Sequence, residues 1–161
     1  MTNETSSSAG DVPGPQVGFQ VTVDCTDAYR QAVFWSQVLG YEIERKDAFI
    51  RDLIDRGLVT DTDVLEIDGS LFFRIGIGIR QRGVDDEHVR APGARLLFLN
   101  DPRPKTEKNR LHLDVHVGRE RLPAEVERLV GLGAKVLYEH DERDGHWVTL
   151  TDPEGNEFCL Q

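Results

Sequence analysis

The sequence has little of what marks a secreted, membrane or nucleic-acid-binding protein. Its 161 residues contain two cysteines, Cys25 and Cys159, too few for a disulfide framework, and these read as reduced thiols of a cytoplasmic chain. No apolar run approaches the ~20 residues that a membrane span needs. The opening MTNETSSSAGDVPGPQ lacks the basic and apolar regions of a signal peptide. Basic residues are in deficit, 19 Lys+Arg against 29 Asp+Glu, giving a net charge of −10. Phosphate-backbone binding needs clustered Lys and Arg, so nucleic acid is not an expected partner. Gly-x-Ser-x-Gly, His-Glu-x-x-His and paired Cys-x-x-Cys motifs are absent. Gly76 and Gly78 alternate within a strand pattern and lack the strand-turn-helix context of a phosphate loop.

What remains is a globular composition, 39% hydrophobic and 30% charged. A chain of this size buries roughly 70% of its unfolded surface and folds without cross-links. Residues 1–15 read as a disordered tail of Ser, Thr, Gly, Pro and acids. Residues 16–161 read as a single domain.

Within that domain the periodicity is informative. Phe19, Val21 and Val23 alternate with Gln20, Thr22 and Asp24, which predicts a strand with two unlike faces. Asp27 stands at an N-cap position, Ala28, Ala32, Trp35 and Leu39 form a helical stripe, and Gly40 ends it. Tyr41–Glu44 reads as a second strand. Phe49, Ile50, Leu53 and Ile54 predict a short amphipathic helix stopped by Gly57. Thr60–Ser70 reads as a loop or marginal strand, Leu71–Arg80 as a strand, Gln81–Gly93 as an acidic loop, and Arg95–Asn100 as a strand. Then the order restarts. Leu111–Val117 alternates as a strand, and Leu122, Val126, Leu129 and Val130 mark a helix with Pro123 in its first turn. Three strands follow over 135–139, 146–151 and 156–161, the last two joined by the turn Asp152-Pro153-Glu154-Gly155. Leu39-Gly40-Tyr41 is matched by Leu132-Gly133-Ala134 at the same place in the order. The chain therefore reads as module one over 16–101 with an insertion at about 46–94, a linker over 102–109, and module two over 110–161. Two such units are expected to pair edge to edge.

Chemistry concentrates on the 111–117 strand. His112, Asp114 and His116 alternate, so they share one face, with adjacent members about 6–7 Å apart. Two of them can reach one metal ion, but all three span about 13 Å. The donor types suit zinc, iron, manganese or nickel; the alternative is a solvated polar sheet face. By the same parity Gln20, Thr22 and Asp24 share a face of the first strand, and Glu157, Cys159 and Gln161 share a face of the last. These polar faces are expected to converge on a cavity, with Val21, Val23, Leu113, Val115, Phe158 and Leu160 packed beneath the helices.

Asp27–Tyr41, with Phe34-Trp35 and Val38-Leu39-Gly40-Tyr41, resembles the first helix of the vicinal oxygen chelate superfamily of glyoxalases, extradiol dioxygenases and bleomycin-resistance proteins. Asp152-Pro153-Glu154-Gly155-Asn156-Glu157-Phe158 resembles its final hairpin, and the stretch from Arg95 through Lys108-Asn109-Arg110-Leu111-His112-Leu113-Asp114 is similar to a glyoxalase-like subgroup. The resemblance implies an α+β fold in which two βαβββ modules form a cupped mixed β-sheet with helices on the outer face. It also implies a homodimer. The superfamily's metal-ligand positions fall on Gln20, near Leu97, on His112 and on Cys159; His112 keeps the usual residue.

The expected ligand-contacting set is Gln20, Thr22, Asp24, His112, Asp114, His116, Glu157 and Cys159. The expected function is small-molecule binding, sequestering a drug or metabolite without metal. The alternative is a lyase, isomerase or dioxygenase, metal-dependent or metal-free, that uses His112 as ligand or general base. In the metal-dependent case His112 and Cys159 are the candidate ligands of a divalent ion. His112 is expected to be largely enclosed and hydrogen-bonded within the cup.

Overall fold

The alternating and helical patterns fold into two copies of one element order. The computed structural model describes residues 18–85, 91, 93–143 and 145–161; the tail expected over 1–15 lies outside them. β1 (Val21–Cys25), α1 (Ala28–Leu39) and β2 (Glu42–Ile43) are followed by α2 (Asp47–Asp55), a 3-10 turn at Asp61–Asp63, and a hairpin of β3 (Val64–Ile67) and β4 (Ser70–Phe73). β5 (Gly76–Arg80) and β6 (Arg95–Asn100) close module one. Module two consists of β7 (Asp114–Val115), α3 (Leu122–Gly131), β8 (Lys135–Glu142), β9 (Gly145–Thr151) and β10 (Glu157–Leu160). The sheet orders are β1-β6-β5-β2 and β7-β10-β9-β8. In each sheet the first strand of the module lies parallel to the last, and the other neighbours are antiparallel. The fold is thus α+β, with two βαβββ units.

Local chemistry sets α1. The Asp27 side chain accepts from the Arg30 N–H at 3.0 Å, satisfying one of the unpaired donors of the first turn. Gly40 ends the helix at φ 68°, a left-handed conformation that glycine adopts without Cβ strain. Ala28, Gln31, Ala32, Phe34, Trp35 and Val38 are buried. Phe34 and Trp35 meet Phe158 of β10 edge-on, at ring-centroid distances of 6.2 and 5.1 Å. Val21, Val23, Leu113 and Val115 pack against the same core, in which Phe158 and Leu160 are fully buried. The apolar strand faces therefore lie where alternation put them.

Two carboxylates of the final turn fasten α1 to module two. Asp152, itself buried, accepts from the Glu154 and Asn156 N–H groups at 2.9 Å each, from Asn156 Nδ2 at 2.9 Å, and from Trp35 Nε1 at 3.1 Å. Glu154 accepts from the Thr26 and Asp27 N–H groups, both at 2.8 Å.

Three expectations are corrected. Among the described residues no ladder joins β1 to β7, so the modules do not pair edge to edge and the cup stays open. They meet instead through α1, whose aromatic face is buried against β10. The strand expected over 111–117 shrinks to Asp114–Val115, because it pairs only with β10, a strand of four residues. The Leu71–Arg80 run divides into β4 and β5. Arg74 turns the chain there: its N–H donates to Asp63 O at 2.8 Å, and its guanidinium to Thr62 O and Val64 O at 3.0 and 2.9 Å.

Gln31 is fully buried, and neither of its amide atoms has a hydrogen-bond partner among the described residues. Burying an unpaired amide costs about 1–3 kcal/mol, and an apolar side chain of similar shape removes that cost. Gln31→Leu is therefore expected to raise the urea midpoint by the equivalent of about 1 kcal/mol; a lowered midpoint would show that the amide is satisfied in solution.

Candidate functional site

The two open sheet faces carry different chemistry. On module two, Asp114, Cys159, Thr149 and Tyr138 stand directly opposite one another across β7, β10, β9 and β8, so their side chains form one row. His112 Nε2 lies 3.2 Å from Asp114 Oδ1, and Thr149 Oγ1 lies 3.6 Å from Cys159 Sγ. One donor atom from each of His112, Asp114 and Cys159 falls within 4.8 Å of the other two. Trp147 and His140 stack at 3.8 Å, with their planes at 22°. The His112 side chain is 45% exposed, which corrects the expectation that it is enclosed. Among the described residues no strand pairs with β7 on its outer side, and His112 and Asp114 are exposed.

On module one, Gln20, Thr22 and Asp24 run along β1 beside Arg95, Leu97 and Leu99 of β6. Thr22 is registered with Leu97, and Gly78 and Gly76 of β5 with Leu97 and Leu99. Arg95 grips Glu44 in a bidentate pair, Nε to Oε1 at 2.7 Å and Nη2 to Oε2 at 2.8 Å. Its Nη1 donates to Gln20 Oε1 at 2.5 Å. The two glycines make room for this arrangement. A Cβ on Gly78 would fall 2.5 Å from Arg95 Nη2, and one on Gly76 would fall 2.6 Å from Leu99 Cδ2. Above this floor lies the segment between β2 and β5. Ile50 of α2 is buried with Val64 and Leu71, and Ile54 and Phe73 pack against them. The space between floor and roof is a cavity of about 240 Å³, lined mainly by Phe49, Ile50, Leu71–Phe73, Ile75, Leu97 and Leu99. It shares Glu44, Lys46 and Phe49 with a more polar neighbouring chamber of about 460 Å³, the outer chamber.

The expected site residues therefore fall into separate groups. His112, Asp114 and Cys159 come together. Gln20 and Thr22 share a hydrogen bond at 3.4 Å, and Gln20 is held by Arg95. Asp24 lines a depression with Asp101, Arg103, Lys105, Asn109 and Glu154. There Arg103 hydrogen bonds hold the Asp101 carboxyl down at about 2. His116 lines a groove between the modules with Val21, Leu96 and Arg121. Glu157 fastens the linker, pairing with Lys105 Nζ at 3.2 Å and accepting the Asn109 N–H at 3.0 Å. Burial pushes its carboxyl up, but these donors outweigh burial and leave it below the usual carboxylate range. Sequence reasoning missed Glu44, Lys46 and Arg95. Arg95 was signalled by its parity with Leu97 and Leu99; the partnership with Glu44, far away in sequence, had no local signal.

The sequence matches the model of the glyoxalase-like domain over residues 20–161. The chain belongs to this family. No curated protein matches it at a significant level. Solved structures share the fold at low identity. One is a glyoxalase/bleomycin resistance protein/dioxygenase family enzyme from Burkholderia phytofirmans PsJN, 15% identical over 88% of this chain and 94% of that one, with a TM-score of 0.53. Another is the fosfomycin resistance protein FosX from Mesorhizobium loti, 11% identical over 94% and 92%, TM-score 0.56. A third is a mutant FosX from Listeria monocytogenes complexed with Mn(II) and 1S,2S-dihydroxypropylphosphonic acid, 12% identical over 88% and 86%, TM-score 0.55. Among the described residues of this glyoxalase-like chain, no helix is long and apolar enough to cross a membrane.

The two thiols differ in environment. Cys25 is buried, and burial followed by the Glu154, Asp27, Asp152 and Asp24 carboxylates pushes its thiol up to about 12. Cys159 is half-buried on the open face. The thiolate is the reactive form. Ellman's reagent at pH 8 is thus expected to titrate one thiol in the native protein and none in Cys159→Ser; two thiols reacting at similar rates would contradict these environments.

Proposed function

We propose that this glyoxalase-like chain binds a small organic molecule on the concave face of module one, beneath α2 and the β3–β4 hairpin, without a metal at that face. The apolar, glycine-floored cavity carries the reading. Arg95 neutralises Glu44, the one carboxylate among the cavity's described lining residues, and Gln20 is committed to Arg95. Leu97 adds an apolar side chain near the position where the resemblance to superfamily metal enzymes puts a ligand. Such a cavity retains its ligand by burial of apolar surface, worth about 25 cal/mol per Å². That is the chemistry of sequestration: the ligand is held and left unchanged. The net charge of −10 and the 1S,2S-dihydroxypropylphosphonic acid complexed with the FosX neighbour support a small-molecule binder, which we place in the cytoplasm.

A second reading rests on His112, Asp114 and Cys159. Their donor atoms lie close enough to hold one divalent ion and fit a three-residue site. A thiolate among the donors favours zinc over the Mn(II) recorded with the FosX relative. Bound there, a metal would supply Lewis-acid polarisation of a substrate oxygen. The residues around it would do the rest. Asp114 orients the His112 ring through their 3.2 Å contact, and Thr149 holds Cys159. Half-exposed, this trio needs a further surface to exclude water, and a second copy of the chain is the natural source.

Two measurements separate the readings. In an NMR screen of a neutral fragment library, binders are expected to shift the Gly76, Gly78, Leu97 and Leu99 amides; shifts confined to His112, Asp114 and Cys159 would favour the second reading. Protein purified without added metal is expected to carry well under one equivalent of divalent ion; stoichiometric zinc that disappears in His112→Ala would overturn the metal-free reading.

A further inference from the structure

We infer that the module-one cavity selects an amphipathic monoanion: an apolar chain or ring for the inner chamber, carrying one carboxylate or comparable anionic group that Lys46 and Arg45 receive in the outer chamber. The inference rests on the binding reading above and adds the ligand's class.

The two chambers divide along chemical lines. The inner one, about 240 Å³, is walled by aliphatic and aromatic side chains. That is below the ~300–1,000 Å³ typical of drug-sized sites, so it takes a slender body. The outer chamber is lined by Glu44, Arg45, Lys46, Asp47, Ala48, Phe49 and Arg80. These charges are not equivalent. Glu44 is taken by Arg95. Arg80 is paired with Glu42 at 3.0 Å. Asp47 accepts the Leu71 N–H at 2.8 Å, which ties α2 to β4. Arg45 donates to the neutral Ser70 hydroxyl at 2.6 Å, and no acid pairs with it among the described residues. The Lys46 ammonium has no side-chain partner among the described residues, although it borders both chambers.

The outer chamber therefore presents two cations without a pairing acid, against Asp47, in a protein whose net charge is −10. An unpaired lysine at the mouth of an apolar cavity favours an anion over a neutral head group, and a cation least of all. Lys46 also stands at the N-terminal end of α2, where the helix dipole favours negative charge. Lys46 and Phe49 line both chambers, so the polar and apolar parts of one ligand are met at the same place.

The test uses decanoate and decan-1-ol, which share a chain and differ in head group, titrated calorimetrically into the full-length protein at low salt. Decanoate is expected to bind about tenfold more tightly, the equivalent of about 1.4 kcal/mol. Lys46→Met keeps the stem and removes the charge; it is expected to abolish the difference and leave decan-1-ol unchanged, with an unaltered melting temperature. Leu97→Trp, which fills the inner chamber, is expected to eliminate both. Equal affinities for the two probes in the parent, both lost in Leu97→Trp, would overturn the anion preference and leave the cavity reading standing. Equal affinities that survive Leu97→Trp would overturn both. Binding of neither probe, or a decanoate preference that persists in Lys46→Met, would overturn the inference as drawn.

Discussion

The architecture depends on how the final turn of module two holds α1 of module one. Asp152 and Glu154 are two residues apart, and between them they accept six hydrogen bonds. Bonds to an ionised acceptor are about twice as strong as neutral ones. Asp152 shapes its own turn and reaches Trp35. Glu154 sits at the positive end of α1, where a carboxylate is favoured by the helix dipole. With α1 fixed at both points, Phe34 and Trp35 lie against Phe158, and one apolar core serves both sheets. Neither sheet has to pair with the other to bury its back face.

That arrangement explains why the two concave faces are separate. Module one has a hydrocarbon floor and an internally closed ion pair beneath a roof of α2 and the hairpin. Module two brings His112, Asp114 and Cys159 within reach of one another, on a face that the described residues leave open. A single chain thus holds one roofed apolar cavity and one uncovered polar cluster. The proposed binding belongs to the first; chemistry at the second would need another surface above it.

Much of the fold was legible because its signals are local. The Asp27 cap, the 28-32-35-39 stripe and Gly40 gave α1; the apolar run gave β6 to the residue; the Asp152–Gly155 turn gave the last hairpin. The helix read from Phe49, Ile50, Leu53 and Ile54 is present over Asp47–Asp55, and Phe49 and Ile50 do face a cavity. What was not legible is long-range. Thr60–Ser70 has no clean period, and β3 exists because β4 pairs with it. Arg95 and Glu44 are neighbours only once β2, β5 and β6 are laid side by side. Sharing a face by parity does not make residues share a cavity: Asp24 lines a depression beside the Asp101–Arg103 pair, Glu157 fastens the linker, and His116 lines the groove between modules.

Binding, as proposed, belongs to the roofed cavity and not to the histidine cluster. Comparing two variants with one neutral fragment from the screen tests it most directly, after dialysis against a chelator. Leu97→Trp is expected to lose the fragment, while the His112→Ala/Cys159→Ala double variant binds it as the parent does. Affinity that falls on chelation and in the double variant, and that Leu97→Trp leaves intact, would contradict it.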